Sequence, residues 1–466
     1  MAKTDITLRA TTFFLTGILL ASYIQNIYEL LIPTVLGVFL FWFLRKPAIA
    51  MVAVSALPFI IGSIYYFAYI FRQNSRINIP YGQKISSSAV VLKDAAKNSY
   101  GSINYIVQLP PPLCCEVAVS TSMELYPVYG DVISFEGTAS RPETVYELPI
   151  VSMSKITITS HGSGNAIKRC LLNVKRKFIF GLSLSLPPRE AALAAGLTVG
   201  ERAEFSREDK RAMALSGTTH LVALSGYNIA ILAEAIRLTL KGRLRKRLVF
   251  FITISIIILF VVAVGGEPSI VRAAIMGGLA LLAGELGREN SIAIAILFSA
   301  FLMGLQDPRI VRWDIGFQLS FMSLLGIVYL APSITRAIRF NTSNSFLGWK
   351  ESLVMSASAQ IMVLPFSLGI FGSASLSGIL ANVALTTFIP ITMLLVFISG
   401  ALGMVSSAFS TIAAWFTEPF LAYELWVIHF FANPWASIGE PSNGNILFAF
   451  YYAAVIFFIK KHYAKD

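Results

Sequence analysis

Charge is what this chain has least of. Asp, Glu, Lys and Arg make up 13% of its 466 residues, against about 25% in an ordinary soluble domain. That composition excludes a typical soluble globule. Histidine is also scarce. His161, His220, His429 and His462 are the full set, too few for a histidine-rich metal site. The three cysteines, Cys114, Cys115 and Cys170, include no Cys-x-x-Cys spacing, so no thiolate metal motif is available. No Gly-x-x-x-x-Gly-Lys-Ser/Thr loop occurs, which excludes a phosphate-cradling ATPase within the chain. The sequence therefore predicts no metal, no cofactor and no enzymatic chemistry of these kinds. The first apolar run lacks a small-residue cleavage site and reads as a retained helix.

Hydrophobic residues, at 56%, fill the space that charge leaves. With a mean hydropathy of +0.70 and recurrent runs of spanning length, the chain reads as a polytopic membrane protein. Three apolar segments fall within residues 1–71, at about 11–25, 28–44 and 47–70. Nine more fall within 219–466, at about 219–240, 248–265, 268–287, 290–306, 314–332, 352–371, 376–400, 411–432 and 444–459. Lys3, Arg9, Arg45 and Lys46 place the N-terminus in the cytoplasm by the positive-inside rule. The clusters Lys241–Arg247, Arg336 with Arg339, and Lys460 with Lys461 then also fall inside, as does the C-terminus; Arg309 and Arg312 are the exception. A net charge of +12 has two readings: cytoplasmic loops marked by Lys and Arg, or a polyanionic partner such as nucleic acid.

Residues 72–180 differ in character. Ala89–Leu92, Ile103–Leu109, Glu116–Val119, Gly130–Gly137 and Lys155–Thr159 are short, β-branched and bounded by turn residues. They predict a small all-β barrel or sandwich outside the cytoplasm. A disulfide from Cys115 or Cys114 to Cys170 would suit that oxidising side. Tyr100, Tyr105, Tyr126 and Tyr129 are available either for base stacking or for the β-core. Residues 181–218 are polar and amphipathic, too short to span, and predict helices lying at the outer interface.

Polar constellations interrupt the apolar segments. In His220-Leu-Val-Ala-Leu-Ser-Gly-Tyr-Asn228, His220, Ser225 and Asn228 cannot all face lipid cheaply, and Gly226 allows the helix to unwind. His220 as base and Ser225 as nucleophile is a poor reading, because five helical residues turn them about 140° apart. In Glu267-Pro-Ser-Ile-Val-Arg272, the arginine should snorkel outward or pair inward, with Asp314 or a phosphate as partner. Asp314, Gln318 and Phe321 share one helical stripe, on which Asp314 has the position of a helix cap. Asn382 and Pro390 interrupt a further segment and predict a broken helix beside a cavity.

Four of these stretches resemble, in order, the ComEC/Rec2 competence proteins, membrane channels for DNA uptake. They are Gly200-Glu-Arg202 through Ser216-Gly-Thr-Thr-His-Leu-Val-Ala-Leu-Ser-Gly226, then Pro268–Met276, Asp314–Phe321 and Ser377–Asn382. Gly130–Gly137 is similar to the family's outer OB-like β-domain. The resemblance implies a cytoplasmic-membrane channel carrying single-stranded DNA inward during natural transformation. His220, Ser225, Asn228, Arg272, Gln318 and Asn382 would line the path or contact DNA, and Asp314, Glu201, Arg202 and Gly226 would support them. It also implies separate DNA-receptor, nuclease and cytoplasmic ATPase proteins, with membrane lipid around the chain. Family members often carry His where Asn228 stands here. No His-x-His-x-Asp-His run is present, so the resemblance is to a short form without the metallo-β-lactamase-like domain. The rival reading from another class is a transporter of small molecules or lipid-linked precursors.

Overall fold

The structure, a computed structural model, describes residues 3–24, 49–75, 79–97, 103–111, 113, 115–121, 125–142, 144, 147–201, 205–222, 226–266, 268–285, 292–339, 348–433, 437–439 and 445–463. Within these the chain is mostly helical, with one small barrel, and it divides into two compact units. One comprises residues 1–172 and 241–318, the other 173–240 and 319–466.

The first unit opens with α1 (Lys3–Ala21) and α2 (Ile49–Asn74). The expected second segment, 28–44, lies outside the described residues. Gly17 and Gly62 let α1 and α2 touch backbone to backbone, since a Cβ on either would strike the carbonyl of Phe59 or Phe14. Ser63 uses the same contact to donate to the Gly17 and Phe59 carbonyls. Such small-residue crossings are how helices associate without a hydrophobic driving force.

Five strands follow: β1 (Lys84–Lys97), β2 (Ile103–Gln108), β3 (Glu116–Thr121), β4 (Val132–Ser140) and β5 (Ile150–Ser160). They close a barrel in the order β1-β2-β3-β5-β4, with β3 and β5 parallel and every other pair antiparallel. Period-two alternation points Val91, Ile103, Val107, Val117, Ile133, Phe135 and Val151 inward. Tyr105 belongs to that core, its hydroxyl against the Met153 sulfur. Tyr129 is buried too, and its hydroxyl accepts from the Asn165 amide. Tyr126 is exposed, and Tyr100 lies outside the described residues.

The β-region ends sooner than the sequence suggested. Residues 166–180 form the start of a helix, α3 (Ala166–Ser185). Lys168 seats its first turn on the barrel, donating to the Leu92 carbonyl and lying over the Tyr129 ring. Cys170 is an exposed thiol on α3, whereas Cys115 packs against the barrel core. The two are not bridged; Cys114 lies outside the described residues. The first unit is completed by α8 (Lys246–Ala263), α9 (Pro268–Glu285), α10 (Ile292–Gln306), α11 (Ile310–Trp313) and the start of α12 (Ile315–Leu325).

In the second unit, α4 (Pro188–Val199) is buried from Ala191 to Val199. This differs from the surface-lying helix expected at 181–218: its Ala, Gly and Leu residues are apolar all round, the mark of a core helix. After α4 come α5 (Arg207–Leu215), α6 (Thr219–Val222) and α7 (Gly226–Leu240). Beyond α12, a π-turn (Gly326–Leu330) leads into α13 (Ala331–Ala337), then α14 (Trp349–Phe371). The unit ends with β6 (Ser373–Ser375), α15 (Gly378–Thr386), α16 (Ile389–Gly403), α17 (Ser407–Phe430), β7 (Ser437–Gly439) and α18 (Asn445–Tyr463).

Among the described residues, Lys246–Ala263, Ile315–Ala337 and Trp349–Phe371 are long and apolar enough to cross a membrane, and the bent pair α15 and α16 makes a fourth. The expected span at 376–400 is divided into two helices, and that at 219–240 includes residues 223–225, which lie outside the described residues. Within 268–287 and 290–306 lie the apolar helices Pro268–Ala283 and Ile292–Gln306, and residues 286–291 between them are outside the described residues.

Candidate functional site

Two of the four motifs meet in the second unit. Ser206 caps α5 by accepting from the Asp209 amide at 3.0 Å. After α5 the chain turns through Ser216, Gly217 and Thr218, with Gly217 left-handed at φ 67°. A Cβ there would lie 3.2 Å from the Gly378 Cα and 3.1 Å from the Ser375 Cβ. Gly378 is confined reciprocally, its Cβ position lying 3.2 Å from the Ser216 carbonyl. The stretch around His220 and the N-terminus of α15 therefore form one junction, closed by two glycines.

Polar groups cluster at this junction. Gln360 donates to the Ser375 carbonyl at 3.2 Å, Ser375 and Ser377 share a 3.0 Å hydroxyl contact, and Ser377 donates to the Phe431 carbonyl. His220 is exposed on α6, with Nδ1 3.1 Å from the Gly217 carbonyl. That contact makes Nδ1 the donor and leaves Nε2 for a ligand. On α15, which is bent 56° from α16, Asn382 is half-buried. Its Oδ1 meets no hydrogen-bond donor among the described residues. This is the broken helix that Asn382 and Pro390 foretold.

The other predicted residues fall elsewhere. Asn228 is buried on α7 and donates to the Leu197 carbonyl at 2.8 Å, tying α7 to α4. Glu201 pairs with Lys175 at 3.1 Å. Gly226 begins α7, whereas Arg202, Ser225 and Glu267 lie outside the described residues. In the first unit Arg272 is half-buried in the opening turns of α9. Asp314 caps α12, accepting from the Phe317 amide at 2.6 Å. Gln318, one turn on, donates to the Arg312 and Val311 carbonyls at the end of α11. The stripe is thus a pair of helix caps at a corner. Arg309 and Asp307 brace that corner as an ion pair, and Arg312 does so over the Tyr23 ring. Among the described residues no group of three or more His, Cys, Asp or Glu is placed to hold a metal.

Sequence reasoning missed one cluster, formed by Arg189, Asp209 and His429. Asp209 is 4% exposed at its side chain, 2.5 Å from Arg189 Nη2 and 3.0 Å from His429 Nε2. The Ser206 hydroxyl donates to its other oxygen at 2.6 Å. Burial alone would raise the Asp209 carboxyl, but the hydrogen bonds from Arg189, Ser206 and His429 outweigh it and hold the group at about 2. The Ser206-x-x-Asp209 pattern announced a cap and nothing more; His429 arrives from 220 residues away. The cluster binds the starts of α4 and α5 to the end of α17.

Two outcomes follow from this geometry. Gly217→Ala carries the left-handed penalty of about 1–2 kcal/mol and a clash with Gly378, whereas Gly242→Ala, at φ 80° in open space, carries only the first. In thermal unfolding of the purified chain, Gly217→Ala loses more stability than Gly242→Ala; equal losses would contradict the junction. The Asp209 contribution is complete above the ordinary carboxylate range near about 4 and disappears as pH falls through about 2. Asp209→Asn flattens the stability profile in that window, and an unchanged profile would exclude the cluster as its source.

Residues 197–464, more than half of the chain, match the Competence protein family. ComE operon protein 3 of Bacillus subtilis (strain 168) is 26% identical over 239 residues, which are 51% of this chain and 30% of that protein. No solved structure matches. The matched family region takes in the His220 stretch, Arg272, the Asp314–Gln318 corner and the broken helix at Asn382. The chain belongs to the competence protein family, as a ComEC/Rec2 protein.

Proposed function

We propose that this competence protein is the cytoplasmic-membrane channel through which DNA enters, as a single strand, during natural transformation. The observation that carries the reading is the junction at Gly217 and Gly378. It brings an exposed imidazole and the start of a broken helix, both from family-matched stretches, to one place in an otherwise apolar chain. Broken helices are tolerated at membrane depth where they line a cavity or are covered by protein. There His220 Nε2 and the Asn382 amide serve a passing backbone and its bases; Arg272 on α9, in the first unit, is a separate candidate for phosphate contact.

The barrel supports the same reading. Its strand order is that of an OB-type barrel, a fold whose surfaces bind oligonucleotides. Lys84, Lys93, Arg141 and Lys155 are exposed on it, and cations of this kind hold phosphates in a salt-dependent manner. Of the four tyrosines considered for stacking, Tyr126 is the exposed one among the described residues. In this account the barrel lies outside, both termini lie inside, and receptor, nuclease and ATPase are separate proteins.

Labelled DNA offered to cells lacking the chain should remain at the surface, with no internal single strand and no transformants. Complementation with His220→Ala should lower transformation by about tenfold, the effect of losing one roughly 1.4 kcal/mol contact, while membrane insertion is unchanged. Normal entry of labelled DNA in the deletion strain would overturn the channel reading. Normal transformation by the variant would remove His220 from the path.

A further inference from the structure

A carboxyl that the channel reading does not use lies inside the second unit. Glu424 sits on α17 and is 2% exposed. Its hydrogen-bond partner is a neutral hydroxyl: Thr392 Oγ1, itself fully buried on α16, donates to Glu424 Oε1 at 2.7 Å. Two turns along the same antiparallel seam, Ser399 and Thr417 make a 2.8 Å hydroxyl contact. Further on, the Ser410 hydroxyl lies 3.0 Å from the Ser399 carbonyl and 2.7 Å from the Ser185 hydroxyl. Polar residues at 392 and 399 thus face polar residues at 424, 417 and 410 at heptad spacing.

Among the described residues, the elements that surround Glu424 supply no counter-charge beside it. Among the described residues, the helices packed most closely on α17 are α16, α15, α4 and α5. The first two contain no charged residue at all. On α4 the charged residues are Arg189 and Glu190, and on α5 they are Arg207, Glu208, Asp209, Lys210 and Arg211. Of these, Arg189 and Asp209 meet α17 at His429, five residues and about 7.5 Å of helix beyond Glu424. On α17 itself Glu418 and Tyr423 flank the site, and the Tyr423 hydroxyl is engaged by the Ala384 carbonyl. Among the described residues, α3 is hydrogen-bonded to this helix at Ser410, through Gly181 and Ser185, about 21 Å of helix from Glu424. A carboxylate placed so would be a buried charge with no cation beside it, which costs far more than burying the neutral acid.

We propose that Glu424 is a reversible proton-binding site in the seam between α16 and α17: it carries its proton in this conformation and releases it when the seam opens. As the acid, Glu424 accepts from Thr392 and leaves the two helices closed. Loss of the proton to water admitted at the His429 end leaves a carboxylate that must be solvated, and the seam parts to hydrate it. The site is independent of DNA binding, so it stands or falls separately from the channel reading.

The test uses the full chain in lipid nanodiscs, without DNA. Infrared difference spectra of wild type minus Glu424→Gln at neutral pH should contain the carbonyl band of a protonated carboxyl. That band should shift in Thr392→Val, which removes the hydrogen bond, and should titrate away as pH rises. Amide exchange across 389–430, compared between wild type and Glu424→Gln at each pH, should diverge where the band is lost. Carboxylate bands in place of the acid band would overturn the proposal. So would an acid band that never titrates, or exchange that stays equal in the two proteins. Because Gln matches Glu in shape and keeps an acceptor for Thr392, the variant is suited to fold; the titration of wild type alone tests the claim if it does not.

Discussion

Internal satisfaction of polar groups is the constraint on which the rest of this structure depends. A chain so poor in charge cannot leave donors and acceptors facing hydrocarbon, where each unsatisfied group costs several kcal/mol, roughly. Asn228 therefore answers the Leu197 carbonyl, Gln318 answers the end of α11, and Arg312 answers the Ser22 carbonyl. Each of these bonds fixes the relation of two helices, so the polar residues set the packing as much as the apolar ones do. Glycines complete the arrangement wherever backbones must touch, as at Gly17 with Gly62 and at Gly217 with Gly378.

Against that background, His220 and Asn382 stand apart from Asn228, Asp314 and Gln318. The last three are engaged in joining or capping helices, and their side chains are explained by structure alone. His220 is exposed, with Nδ1 on the Gly217 carbonyl, and Asn382 holds a buried oxygen that meets no donor among the described residues. Groups left in this state beside a broken helix are the ones on which the proposed channel reading rests. Of the other expected path residues, Arg272 lies in the first unit and Ser225 lies outside the described residues.

Much of the architecture was legible in the sequence because its signals are local. Alternation in Ile103–Gln108 and Val132–Ser140 marked strands, and Pro188 marked the opening of α4. Asn382 and Pro390 marked the bend between α15 and α16. The start of α3 was hidden because Ile167, Val174 and the basic residues between them fit a strand pattern as readily as a helix. The burial of α4 was hidden too: its flanking Arg189 and Glu190 read as an interface signal, while the apolar run beyond them is what packs. Least legible was the Arg189, Asp209 and His429 cluster. Long-range meeting of charged side chains leaves no periodicity, and each residue taken singly has an ordinary local role.

The central claim is that the junction of Gly217 with Gly378 borders the route taken by DNA. A photo-crosslinking side chain placed at position 220 or 382 during uptake of labelled DNA tests it most directly. Capture of the incoming single strand at both positions, and none at position 258 on the exposed face of α8, is the predicted result. Equal capture at all three, or capture at 258 alone, would contradict the account.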